Sequence, residues 1–155
     1  MTTATQEGAG AATGLAIPAS VTVKAVDRPL LRLAAVMVKN AAKNAARLNK
    51  GLDIVEWAAQ ERITQADAIL AVIDDLDHTD DVAIRGDLLR CAQIGLLFQL
   101  RQVAKEKKTL QVKLQIADTK NVDKRAGALE RLARELGYQG EFSFDEDEEK
   151  EEAEE

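Results

Sequence analysis

One cysteine, one histidine and five aromatic side chains leave this chain short of the residues on which most catalytic and metal chemistry is built. Cys91 cannot form an intramolecular disulfide, so cysteine usage gives no sign of an oxidising compartment. A Ser/His/Asp or Cys/His site would have to use His78, the sole imidazole. His78 stands among Asp74, Asp75, Asp77, Asp80 and Asp81, whose charge favours the imidazolium and opposes service as a neutral base. Cys91 falls in an apolar helical stripe, where cysteine acts as a small hydrophobe, and zinc would find too few ligands. The reading is of a non-enzyme that needs no cofactor. No run approaches the ~18–20 apolar residues of a membrane span, and the first residues lack the basic start and apolar stretch of a signal peptide. A cytoplasmic protein without membrane contact is expected.

What is abundant is alanine and leucine, the best helix formers because they lose little side-chain freedom in a helix. With aromatic content at 3 %, close helix packing through small residues is expected. The fold class read from the pattern is mainly α with a minor β component. Residues 1–19, rich in Ala, Gly, Thr and Ser, read as a flexible arm. Residues 20–144 read as one domain, and residues 145–155 as a disordered acidic tail.

Within the domain, residues 20–26 alternate as a short strand. Asp27 and Pro29 then announce a helix to about Lys50, stopped by Gly51. Leu30, Ala34, Met37, Val38, Ala41, Ala45 and Leu48 share its apolar face. Asp53 and Glu56 have capping-box form and open a short helix to about Arg62, with Thr64 capping the next. Val82 to about Lys107 reads as the longest helix, with two apolar stripes, one for its own domain and one for a neighbouring subunit. Residues 109–117 alternate Leu110, Val112, Leu114 and Ile116 with polar residues, which favours a strand; continuation of the preceding helix is the alternative. A last amphipathic helix ends at Gly137, and a short extended piece is expected over Phe142 to Phe144. No internal repeat is evident.

Charge is arranged in blocks. Residues 24–50 hold seven bases and one acid, and residues 51–104 hold ten acids and four bases. The tail has nine acids and one lysine, so the body without it is slightly basic. Arg28, Arg32, Lys39, Lys43, Arg47 and Lys50 fall on one helix face with no acid between the first and the last. Such a stripe suits phosphate and nucleic-acid contact, whereas solubilising faces usually mix acids with bases. Asp74, Asp75, Asp77, Asp80 and Asp81 form an acidic break suited to a basic protein partner. Two of them, Asp74 and Asp75, sit at a helix C-terminus, where the dipole disfavours negative charge. The tail competes for the basic stripe, docks on a basic partner, or only aids solubility.

Asp123-Lys124-Arg125-Ala126-Gly127-Ala128-Leu129-Glu130-Arg131-Leu132-Ala133-Arg134-Glu135-Leu136-Gly137 resembles the end of some phage terminase small subunits. That resemblance implies a ring of subunits that binds viral DNA and recruits a packaging motor. The N-terminal helix-turn-helix of that family is not evident in this sequence. The leading expectation is a non-enzymatic, homo-oligomeric, nucleic-acid-associated assembly protein. The alternative is a structural or adaptor protein that assembles through complementary charged helices, without nucleic acid.

Overall fold

The computed structural model describes residues 19–77 and 79–142. The expected arm up to residue 18, His78, the 143–144 part of the extended piece and the acidic tail lie outside them. The chain runs β1 (Ser20–Val23), a 3-10 turn, α1 (Arg28–Leu48), α2 (Asp53–Asp74), β2 (Val82–Arg85), a second 3-10 turn, α3 (Leu89–Lys108), a wide helical turn (Thr109–Lys113) and α4 (Lys120–Glu135). The mainly helical architecture with a small β component is as the pattern indicates.

Strand, 3-10 turn, helix, helix occurs twice, which the sequence did not reveal. A constant shift of 61 residues carries the first turn and α1 onto the second turn and α3 (25 to 86, 28 to 89). A shift of 63 carries buried positions of α2 onto those of α4 (66 to 129, 69 to 132, 73 to 136). The strands pair antiparallel, Val21 opposite Ile84 and Val23 opposite Val82. These two pairs exchange under the same shift, so the units are related by an approximate two-fold through the ribbon. Ala34 and Gly95 are equivalents under it, and they touch: a Cβ on Gly95 would lie 2.3 Å from the Ala34 carbonyl oxygen.

Packing follows from this arrangement. α1 and α3 cross at the Ala34–Gly95 contact in opposite senses, and buried Gln99 on α3 donates from Nε2 to the Leu30 carbonyl at 2.8 Å. α2 covers α1, and α4 covers α3. Equivalent core positions trade size: Leu31 answers Ala92, Ala35 answers Leu96, and Ala66 answers Leu129, all buried. Large against small lets the layers interlock at core density.

Several local readings are corrected. On α1 the buried face is Leu31, Ala34, Ala35, Val38 and Ala42, turned away from Ala41 and Leu48, which are exposed. α2 is continuous through Thr64 because no Gly or Pro interrupts Asp53–Asp74 and an interior Thr costs only about 0.5–0.7 kcal/mol. The long helix does not begin at Val82. Val82 and Ile84 are β-branched, point inward and pair with β1, so the helix starts at Leu89. Residues of both its apolar stripes are buried within the chain itself, Cys91 and Gly95 on one and Leu89, Ala92, Leu96, Leu100 and Val103 on the other. The strand expected over 109–117 is absent. No described strand runs beside it to satisfy its backbone, so the chain continues α3 as a π turn, with the Leu114 N–H donating to Thr109 O at 3.0 Å. The alternating apolar residues are left outside: Val112, Leu114 and Ile116 are all exposed.

Candidate functional site

The basic stripe of α1 divides in two. At the start of α1, Arg28 reaches over the end of α2. Its guanidinium donates to the carbonyls of Ile73 (2.9 Å), Asp80 (3.2 Å), Leu76 and Asp77. This supplies cationic donors to the negative end of a helix dipole. Arg32 pairs with Asp74, and Lys39 with Asp67 at 2.7 Å. The two bases and the two acids are each seven residues apart, two helical turns, so they form a ladder down the α1–α2 hairpin. Each rung is partly exposed and contributes roughly 0–1 kcal/mol. The ladder offsets the unfavourable place of Asp74 at a helix C-terminus.

Two turns further along, the same step reaches Ala46 and Gln60, and the ladder stops. Lys43, Arg47 and Lys50 therefore have no acidic partner among the described residues; Arg47 bonds the Asn44 side chain. Around them the hairpin turn exposes Leu48 (66 %), Leu52 (55 %), Ile54 (82 %) and Trp57 (67 %). Trp57 lies on the side of α2 opposite its buried Ala59, Ala66, Ile69 and Ile73. The tip acids are Asp53 and Glu56, the latter accepting the Gly51 N–H at 2.7 Å. Gly51 makes the turn at φ +93°, open to glycine at no steric cost.

The acidic break is also divided. Asp74 is held by Arg32, and Asp81 accepts the Ala25 N–H at 2.9 Å. Asp75, Asp77 and Asp80 are exposed and make no ion pair among the described residues. Because α3 runs opposite to α1, the turn after α3 lies at this same end of the molecule. One end thus carries the first hairpin tip, apolar with a basic flank. The other carries the second tip (Val112, Leu114, Ile116, with exposed Lys113), and Asp75, Asp77 and Asp80 follow the end of α2 on the same side of the Ala34–Gly95 crossing. Among the described residues no three His, Cys, Asp or Glu side chains form a metal-holding group, and no helix is long and apolar enough to cross a membrane.

Elsewhere, ionisable groups serve the frame. Asp27, expected as a cap, makes no capping bond; its buried carboxylate is gripped by Arg131 on α4 at 2.9 and 3.1 Å. The Asp27 and Glu135 carboxylates hold the Arg131 guanidinium above its ordinary range. The Lys107 ammonium, then the Thr119 hydroxyl, keep the Asp123 carboxyl below its usual range. Burial pushes the Cys91 thiol up, only partly opposed by Arg62, consistent with its reading as a small hydrophobe.

No family model, curated protein or solved structure matches the chain. Within residues 123–137, Leu129, Leu132, Ala133 and Leu136 are buried, and α4 packs on α3. The apolar part of the motif therefore occupies packing positions. The residues missed from sequence are Leu52, Ile54, Trp57, Leu114 and Ile116. Their signal is large apolar residues beside turns.

Proposed function

We propose that the chain is a non-enzymatic assembly protein whose copies join head to tail, the first hairpin tip of one docking on the opposite end of the next. One observation carries this reading. Leu52 and Ile54 in the first tip and Leu114 and Ile116 in the second are all exposed. Each tip therefore leaves a pair of large apolar side chains uncovered. Clustered exposed apolar groups mark interaction sites. Charge sets the polarity of the contact: Lys43, Arg47 and Lys50 at one end complement Asp75, Asp77 and Asp80 at the other, which favours this pairing over tip to like tip. Such a heterologous contact closes into a ring or runs on as a filament.

Light scattering across a concentration series tests it. The expected mass rises above the 16.9 kDa of one chain. The pair Leu52→Ser/Ile54→Ser should stay monomeric, as should Leu114→Ser/Ile116→Ser, while a mixture of the two variants should form one-to-one dimers through the intact end of each. A wild-type chain still monomeric at about 1 mM, the level of the weakest specific contacts, would sink the proposal.

A second reading rests on the unpaired cations. Lys43, Arg47 and Lys50 could meet phosphates, with Trp57 available to stack on a base. In the setting of the terminase resemblance, this reading leaves the first tip free of neighbouring copies and turned to DNA. With three cations instead of six, the expected salt slope is about half that of the full stripe. A mobility shift absent at ~50 mM salt, also after removal of residues 145–155, excludes it.

A further inference from the structure

We propose that the acidic segment Asp145–Glu155 docks on the first hairpin tip of its own chain, across Lys43, Arg47 and Lys50, and so competes with the acidic end of a neighbouring copy. The inference rests on reading that tip as a docking surface. Charge supplies the attraction: nine acids and one lysine in the segment against three exposed cations with no acidic partner among the described residues. Of the two nearby acids, Glu56 is already turned to the Gly51 N–H.

Position supplies the opportunity. α4 runs opposite to α3, as shown by Lys107–Asp123 (2.9 Å), Arg125–Glu106 (3.0 Å) and the Gln93 side chain donating to Leu136 O (2.8 Å). α3 in turn runs opposite to α1. α4 therefore advances in the same sense as α1, toward the end where Lys43, Arg47 and Lys50 stand. Its exit is fixed beside Gln93, in the first turns of α3. Gly137, at φ +97°, closes the helix, and Tyr138 N–H donates to Ala133 O at 3.0 Å. Phe142 then lies under the Arg134 guanidinium, 4.4 Å from its ring centre. From Phe142 to Glu155 the extended chain spans up to about 43 Å. The whole of α1 from Ala34 to Lys50 measures only about 24 Å. Reach is not limiting.

A tail that covers the tip nine-tenths of the time weakens assembly about tenfold, because only the uncovered fraction can bind a neighbour. The tail contact is ionic and the contact between copies partly so, so the first is lost and the second weakened as the Debye length shrinks to about 3 Å in 1 M salt.

The test is made on the full chain, dilute enough to be monomeric, with a nitroxide on Ala153→Cys. Cys91 is buried, so it can be left in place if Cys91→Ala lowers stability. The expected result is selective broadening of the amide signals of residues 43–50, lost in 1 M salt and in Lys43→Glu/Arg47→Glu/Lys50→Glu. A chain ending at residue 144 should show shifted amide positions at the same residues. No selective broadening at low salt, or broadening that survives charge reversal, overturns the proposal. This readout concerns one chain by itself, so it can succeed while the assembly measurement fails, or the reverse.

Discussion

Asp27 shows how a single residue type can be read correctly and given the wrong partner. An acid before Pro29 looks like a helix cap, yet its carboxylate is 4 % exposed and bound by Arg131, more than a hundred positions away. No local rule could have found that pair. Removing Arg131 leaves a buried carboxylate without its cation. Arg131→Ala is expected to lose about 2–3 kcal/mol, reduced from the fully buried case because Arg131 is half exposed. Denaturant unfolding measures it, and a change under about 0.5 kcal/mol would show that the pair is only superficial. Asp123 provides a pH signature. Its folded value is lowered by Lys107 and Thr119, so its stabilising effect is present above the ordinary carboxylate range and lost as pH falls through it. Wild type and Asp123→Asn should differ at neutral pH and converge in acid unfolding curves once pH has fallen below the lowered Asp123 value.

Among the elements, two helical glycines make opposite predictions. A Cβ on Gly95 would meet the Ala34 carbonyl carbon at 2.6 Å as well as its oxygen. Backbone cannot swing aside, so Gly95→Ala should destabilise by about 1–3 kcal/mol through overpacking at the crossing. Gly127 in α4 has nothing within 4 Å. Gly127→Ala should instead stabilise by about 0.5–1 kcal/mol through helix propensity. Thermal melts of the two variants should move in opposite directions. The turn after α3 carries a related lesson. Its alternation reads as a strand, but without a partner strand it stays helical and leaves Val112, Leu114 and Ile116 exposed. The periodicity was real and described a surface.

For the whole molecule, helix content, the ends of α1 and α4, and the small-residue packing were legible because propensity and glycine stops are local signals. The duplication was not. A minority of positions keep residue type across it, among them Val21, Val23 and Lys24 against Val82, Ile84 and Arg85, and Arg62 against Arg125, while core pairs such as Leu31 and Ala92 exchanged bulk. The basic stripe was legible as a stripe. Its division into a paired base and an unpaired tip depends on which acids of α2 face it. A charge exchange follows at this scale: Lys43→Glu/Arg47→Glu should abolish assembly, and Asp75→Lys/Asp77→Lys in a second chain should restore it on mixing. Failure to recover any mass above that of one chain would argue against the head-to-tail pairing.

The ribbon has one more consequence. β1 and β2 bracket the first hairpin, so α1 and α2 form an excursion clasped at its neck, and buried contacts on α1 end at Ala42. Seven residues added to or taken from each arm would turn both helices through the same two turns and keep their faces in register. The hairpin can therefore act as a ruler, its length adjustable by heptads while the clasped body stays the same.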